Sequence, residues 1–204
     1  LFRSNFLSLK AVPVKPLKTR FMPFLKKNIL AISGSTRQFS SNLNLIHAFS
    51  NLSTDIFKVT IFQGLTSLPH FNPDLDNESP PSAVIAFRQI IRAHNGVLIC
   101  TPEYAMGVPG TLKNALDWTV SSMDFSHKPV ALITASSQGQ KGHATLLDTL
   151  QVIESEMTES TQLLIPFVKT KVSQAGEILH APTLAEVQKL IQAFADLIQD
   201  VQKN

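Results

Sequence analysis

The chain has 204 residues, 44% of them hydrophobic and 16% charged, with 8 Gly and 12 Pro. That is enough apolar material for the core of one domain and too much for a disordered chain. A single cysteine, Cys100, excludes an internal disulfide scaffold and a cysteine-built zinc or iron–sulfur centre.

The longest apolar run falls far short of the roughly 20 residues of a membrane helix, so a soluble globular domain is expected. Formal net charge is +3, from 18 Lys and Arg against 15 Asp and Glu. Arg3, Lys10, Lys15, Lys18 and Arg20 all fall in the first 21 residues, which hold no acid; without them 13 bases face 15 acids. A nucleic-acid surface needs such charges gathered on a folded patch. Here they sit on a segment with no helical or alternating period, where Pro13 and Pro16 break any amphipathic helix. Residues 1–21 are therefore expected to be a disordered leader, of appended or targeting origin. The domain is expected over 22–204, with neither nucleic acid nor membrane as its partner.

From Asn28 onward short apolar runs alternate with helical patterns. Asn28 to Ser33, with Ile29-Leu30-Ala31-Ile32 at its centre, predicts a strand buried on both faces. Ser40 or Ser41 then caps a helix carrying Leu43, Ile46 and Phe49. Ile56 to Phe62 is β-branched and aromatic, a second strand partly exposed at Lys58 and Thr60. Leu65 to Pro81 is loop. Ser82 opens a helix with Val84, Phe87 and Ile91 on one face, closed by Asn95-Gly96.

Val97 to Cys100 is the third strand, and Pro109 begins a helix holding Leu112, Ala115, Leu116 and Thr119. Val130 to Ile133 is the fourth, followed by a Gly-bearing loop and a helix with Leu146, Leu150, Ile153 and Met157. Gln162 to Val168 is a fifth strand interrupted at Pro166. A Thr183–Glu186 capping box starts the last helix, whose face runs from Val187 through Phe194 to Val201. Strands interleaved with helices in this way predict a doubly wound α/β domain, a five-stranded parallel sheet with helices on both faces.

Open sheets of this kind bind ligands beyond the carboxyl ends of their strands. After the first strand stands Gly34-Ser35-Thr36-Arg37-Gln38-Phe39-Ser40-Ser41-Asn42, a hydroxyl-rich turn with one arginine leading into a helix. Unpaired N–H groups and the helix dipole favour a phosphate there, and Arg37 adds a charge-assisted partner. The stretch is neither GxxxxGK[ST] nor GxGxxG, which argues against a triphosphate loop and an ordinary dinucleotide turn. After the third strand, Thr101 to Trp118 is too apolar and too rich in Pro and Gly for a surface loop, as suits backbone held against a flat ligand. After the fourth, Ser136-Ser137-Gln138-Gly139-Gln140-Lys141-Gly142 offers a third close-approach loop.

These two motifs together resemble the NADPH-dependent FMN reductase family, flavodoxin-like enzymes that include flavin, quinone, azo-dye and chromate reductases. GSxRxxSxN is matched by Gly34, Ser35, Arg37, Ser40 and Asn42, and PEYxxxxPGxLKNAxDW by the corresponding residues from Pro102 to Trp118. The resemblance implies that Ser35, Arg37, Ser40, Ser41 and Asn42 hold the FMN phosphate. It places Pro102, Glu103, Tyr104 and Ala105 along the isoalloxazine, and Ser136, Ser137, Gln138 and Gly139 at its pyrimidine edge. Many members carry Asn where this chain has Ala105, so a side-chain hydrogen bond is lost there.

The implied reaction passes a hydride from NADPH (or NADH) to FMN, and then electrons to a small-molecule acceptor. The flavin carries that chemistry, so no catalytic side chain is required. Lys113, Asn114, Asp117 and Trp118 read as structural, and a cytoplasmic homodimer or homotetramer is implied. The rival is a flavodoxin-like electron carrier reduced by a protein partner. Arg37 and the near-balanced charge speak against it, since such carriers are strongly acidic. The six histidines lack metal-ligand spacing, and Cys100 reads as packing.

Overall fold

The computed structural model describes residues 26–203, so the leader expected over 1–21 lies outside the described residues. Strands β1 (Lys27–Ser33), β2 (Phe57–Phe62), β3 (Gly96–Thr101), β4 (Val130–Ala135) and β5 (Gln162–Ile165) pair in parallel in the order β2-β1-β3-β4-β5. The register aligns Ile32 with Phe62 and Ile99, and Ile99 with Leu132. This is the flavodoxin-like sheet expected, and its order reverses between β1 and β3.

Side chains alternate across a strand. Ile29, Ala31, Leu98, Cys100, Ala131 and Ile133 therefore meet one helical layer, α1 (Ser41–Leu52) and α5 (Ala181–Val201). Leu30, Ile32, Val97, Ile99, Val130 and Leu132 meet the other, α2 (Ser82–Ala93), α3 (Gly110–Asp117) and α4 (Gln140–Val152). Both layers are apolar, and the central residues of β1, β3 and β4 are buried on both faces, which is why they read as unbroken apolar runs.

Several boundaries differ from the sequence reading. β5 stops at Ile165 rather than Val168, because Pro166 has no N–H to donate and Phe167 turns left-handed at φ 55°. The last helix starts at Ala181: His180 is its cap, with Nδ1 accepting from the Thr183 N–H at 3.4 Å, and Thr183 is buried in the first turn. α4 ends at Val152, so Met157 lies beyond it. Glu154 adopts φ 59° there, while the Glu154 and Ser155 N–H groups donate to Gln151 and Leu150 carbonyls, a Schellman ending. Gly96 belongs to β3 rather than to the end of α2.

Candidate functional site

All five strands point the same way, so their carboxyl ends share one edge of the sheet. At β1 the chain turns at Gly34, whose N–H donates to the Cys100 carbonyl at 2.8 Å. A Cβ at Gly34 would stand 2.2 Å from Thr101 Oγ1, so only glycine lets the turn lie against β3. Ser35 Oγ accepts from the Arg37 N–H, and Ser40 Oγ accepts from the Asn42 N–H at 3.2 Å, capping α1. The Asn42 side chain is committed to the scaffold. Its Nδ2 donates to the Ala135 carbonyl at 3.2 Å, and its Oδ1 accepts from Cys100 Sγ. Full burial pushes the Cys100 thiol pKa up, so the group packs as a thiol.

The β3 loop folds back on itself. Tyr104 and Gly107 exchange backbone hydrogen bonds at 3.0 and 2.9 Å, with Ala105 at φ 49° and Met106 at φ 61°. Two consecutive left-handed residues make a type I′ turn, a conformation that favours Asn and Gly. Behind it, the Glu103 Oε2 accepts from the Gly142 N–H at 2.7 Å. A Cβ at Gly142 would meet the Glu103 side chain and the Gly107 carbonyl at 3.0–3.1 Å. The β3 loop and the start of α4 are thus fastened together. His143, one residue on, has its Nδ1 2.8 Å from Thr134 Oγ1, and burial holds its pKa below the ordinary imidazole value.

After β5 the chain forms a further wall. The Phe167 and Val168 N–H groups donate to the Ser137 and Ser136 carbonyls at 3.2 and 3.1 Å, and Asn44 Nδ2 donates to the Ser173 carbonyl at 3.0 Å. The wall is pinned to the β4 loop on one side and to α1 on the other.

These segments enclose a cleft of about 750 Å³, within the range of cofactor sites. It gathers Ser35, Arg37, Ser40, Ser41, Asn42, Pro102, Glu103, Tyr104, Ser136 and Ser137. Ala105, Gln138 and Gly139 stand outside its lining: Ala105 occupies the turn tip, and Gly139 is the left-handed cap of α4 at φ 100°.

Sequence reasoning missed the wall, including Phe167, Lys169, Thr170 and Ser173, together with Phe39 and Asn44. The signal was available, since the wall also follows a strand's carboxyl end. Lys113 pairs with Asp117 on the surface of α3, while Asn114 and Trp118 bond to the Phe71 and Pro69 backbone. Those four residues build the scaffold of the 65–81 loop and α3.

Residues 27–167 match the model of a family described as NADPH-dependent FMN reductase. A quinone reductase of Escherichia coli is 30% identical over 184 residues, covering 86% of this chain and 97% of that one. An NAD(P)H-dependent FMN reductase of Pseudomonas aeruginosa is 30% identical over 172 residues, 81% of this chain and 92% of that one. In structure the chain is similar to a flavoenzyme NAD(P)H:(acceptor) oxidoreductase of Paracoccus denitrificans, with a TM-score of 0.76 and 26% identity over 85% and 98% of the two chains.

Proposed function

The chain belongs to the NADPH-dependent FMN reductase family and is an FMN-dependent NAD(P)H oxidoreductase, and from that premise we propose that the cleft beyond β1, β3, β4 and β5 is its flavin site. The observation that carries this reading is the convergence of the phosphate-type turn at 35–42 with the loops at 102–104 and 136–137 around one cavity. The residues suit the group. Ser35, Ser40 and Ser41 line the cleft at the amino end of α1, where hydroxyls and the helix dipole favour an anion, and Arg37 projects from the same turn.

When bound, FMN supplies the two-electron relay between reduced nicotinamide and acceptor. The protein's part is position. Pro102, Glu103 and Tyr104 present backbone and ring to one side of the cleft, held there by the type I′ turn and by the Glu103–Gly142 bond. Ser136 and Ser137 line the neighbouring wall, with their carbonyls engaged by the Phe167 and Val168 N–H groups. The Glu103 carboxylate caps α4 and is assigned no proton transfer.

Phe39, Tyr104 and Phe167 stand exposed at the cleft, 84%, 48% and 63% accessible. Open aromatic rings favour a planar conjugated acceptor by stacking, and the Escherichia coli relative is named a quinone reductase. Val120 and Met123 add exposed apolar surface on the α3 side, in keeping with a homodimer or homotetramer, and the supply of reduced nicotinamide suits a cytoplasmic setting. Among the described residues, no helix is long and apolar enough to cross a membrane.

The test is stopped-flow mixing of the FMN-loaded protein with NADPH alone. The flavin absorbance should bleach, then recover on addition of a benzoquinone faster than on addition of chromate. Flavin that stays oxidised until a protein donor is added would instead support the electron-carrier reading. Arg37→Ala should lower FMN affinity by roughly 10- to 100-fold, the range of a lost charge-assisted hydrogen bond, with an unchanged far-UV spectrum. An unaltered affinity would remove Arg37 from the site.

A further inference from the structure

We propose that Lys169 is a second cationic partner of the FMN phosphate, acting with Arg37 from the β5 wall; this rests on the flavin-site reading above. Among the described residues, three with charged side chains line the cleft: Arg37, Glu103 and Lys169. The Glu103 carboxylate is turned onto the Gly142 N–H. The side chains of Arg37 and Lys169 make no hydrogen bond or ion pair to any described residue, and both residues are exposed. The cleft therefore offers two unpaired cations against one carboxylate that is already engaged.

A phosphate monoester carries about 1.5 to 2 negative charges near neutral pH. One guanidinium and the partial charge at a helix amino end, about half a unit, match about 1.5 of those charges and leave up to about half a unit for the fully ionised ester. Lys169 supplies the remainder as a compact, adaptable point charge.

Its backbone is placed for this. Lys169 sits in the short 3₁₀ turn Val168–Thr170, which starts from the left-handed Phe167 and is closed by the Thr170 N–H to the Phe167 carbonyl. The turn is anchored through Val168 to Ser136, and the wall is anchored through Ser173 to Asn44 in the first turn of α1. So the wall is fixed relative to the helix whose amino end meets the phosphate. Lys169 lies past residue 167, where the family match ends, and neither sequence motif reaches it.

The test is titration of apoprotein with FMN and, separately, riboflavin, read by quenching of flavin fluorescence. It compares wild type, Lys169→Met, Lys169→Arg and the remote surface variant Lys189→Met. Lys169→Met should weaken FMN binding on the order of tenfold, the effect of one charge-assisted contact, and leave riboflavin binding unchanged. Lys169→Arg should restore most of the FMN affinity, and Lys189→Met should behave as wild type.

Equal losses for FMN and riboflavin would overturn the proposal by showing that Lys169 serves the wall's packing, as would an FMN affinity no different from that of Lys189→Met. Wild-type apoprotein that binds neither flavin would overturn the flavin-site reading itself, and with it the role of Lys169.

Discussion

Glu103→Ala isolates the bond that fastens the β3 loop to α4 at one side of the cleft. α4 begins after Gly139, which has no side chain to cap the first turn, and the Glu103 Oε2 at 2.7 Å from the Gly142 N–H supplies that acceptor from 39 residues away. A hydrogen bond to a charged acceptor contributes about 1.5 to 3 kcal/mol. Glu103 is half-buried, so solvent screening puts the value at the low end. Its interaction with the helix dipole, about 0.3 to 1 kcal/mol, is partly the same energy.

A loss of about 2 kcal/mol is expected, equivalent to a Tm lower by roughly 4 to 8 °C for a domain of this size. Glu103→Gln keeps an acceptor oxygen and loses the charge, so it should lie about midway. The loop freed from α4 also borders the cleft, and FMN and riboflavin affinities should fall together. Differential scanning calorimetry of the apoprotein and flavin titration read the two effects. A Glu103→Ala protein as stable as wild type, or a Gln variant no better than Ala, would refute the capping argument.

Gly34→Ala places a methyl 2.2 Å from Thr101 Oγ1 and 3.0 Å from Leu112 Cδ2 in the buried turn. Overpacking of this kind costs about 1 to 3 kcal/mol, so urea unfolding should show a lower midpoint, and an unchanged midpoint would mean that the turn relaxes freely. Ala105→Asn relieves a left-handed alanine at φ 49°; it should stabilise by about 1 kcal/mol, or roughly 2 to 4 °C in Tm, and a fall in Tm would contradict it. Burial would raise the Asp76 pKa, but hydrogen bonds from Ser121 and Arg88 and the Arg88 charge, with the ion pair at 2.7 Å, hold it below the ordinary carboxylate value. Its stabilisation is therefore present above about pH 4 and lost as pH falls through the lowered native pKa. Asp76→Asn should flatten the acid side of the stability profile, and parallel slopes for the two proteins would exclude the ion pair as its source.

The sheet and its phosphate-type turn were legible because both are written in side chains. Ile29 to Ile32 and Val130 to Ile133 are unbroken because two helical layers cover them, and Ser40 caps α1 through a local bond. Other features were legible only after folding. His180 displaces the Thr183–Glu186 box because Pro182 fits the first helical turn, where a missing N–H costs nothing. The left-handed turns at Ala105, Met106 and Phe167 carry none of the residues that usually announce such a conformation. The β5 wall enters the cleft through backbone bonds to Ser136 and Ser137, partners about thirty residues earlier in the chain.

That division has a functional consequence. In the proposed flavin site the phosphate end rests on the identity of a few hydroxyls and cations, so single substitutions there should act on flavin affinity in a graded, charge-dependent way. The ring end is set by backbone conformations held at a distance: Glu103 on Gly142, Phe167 on Ser137, Tyr104 against Gly107. The exposed side chains at the cleft, Tyr104 and Phe167 with Phe39 from the 35–42 turn, take no part in those backbone restraints and are free to vary without disturbing the frame. Substituting Phe39 or Phe167 should therefore change which acceptor is reduced fastest while leaving flavin affinity and Tm close to wild type. In the proposed site, the residues that hold the flavin and those that meet the acceptor can change independently, so that acceptor choice can shift on an unchanged frame.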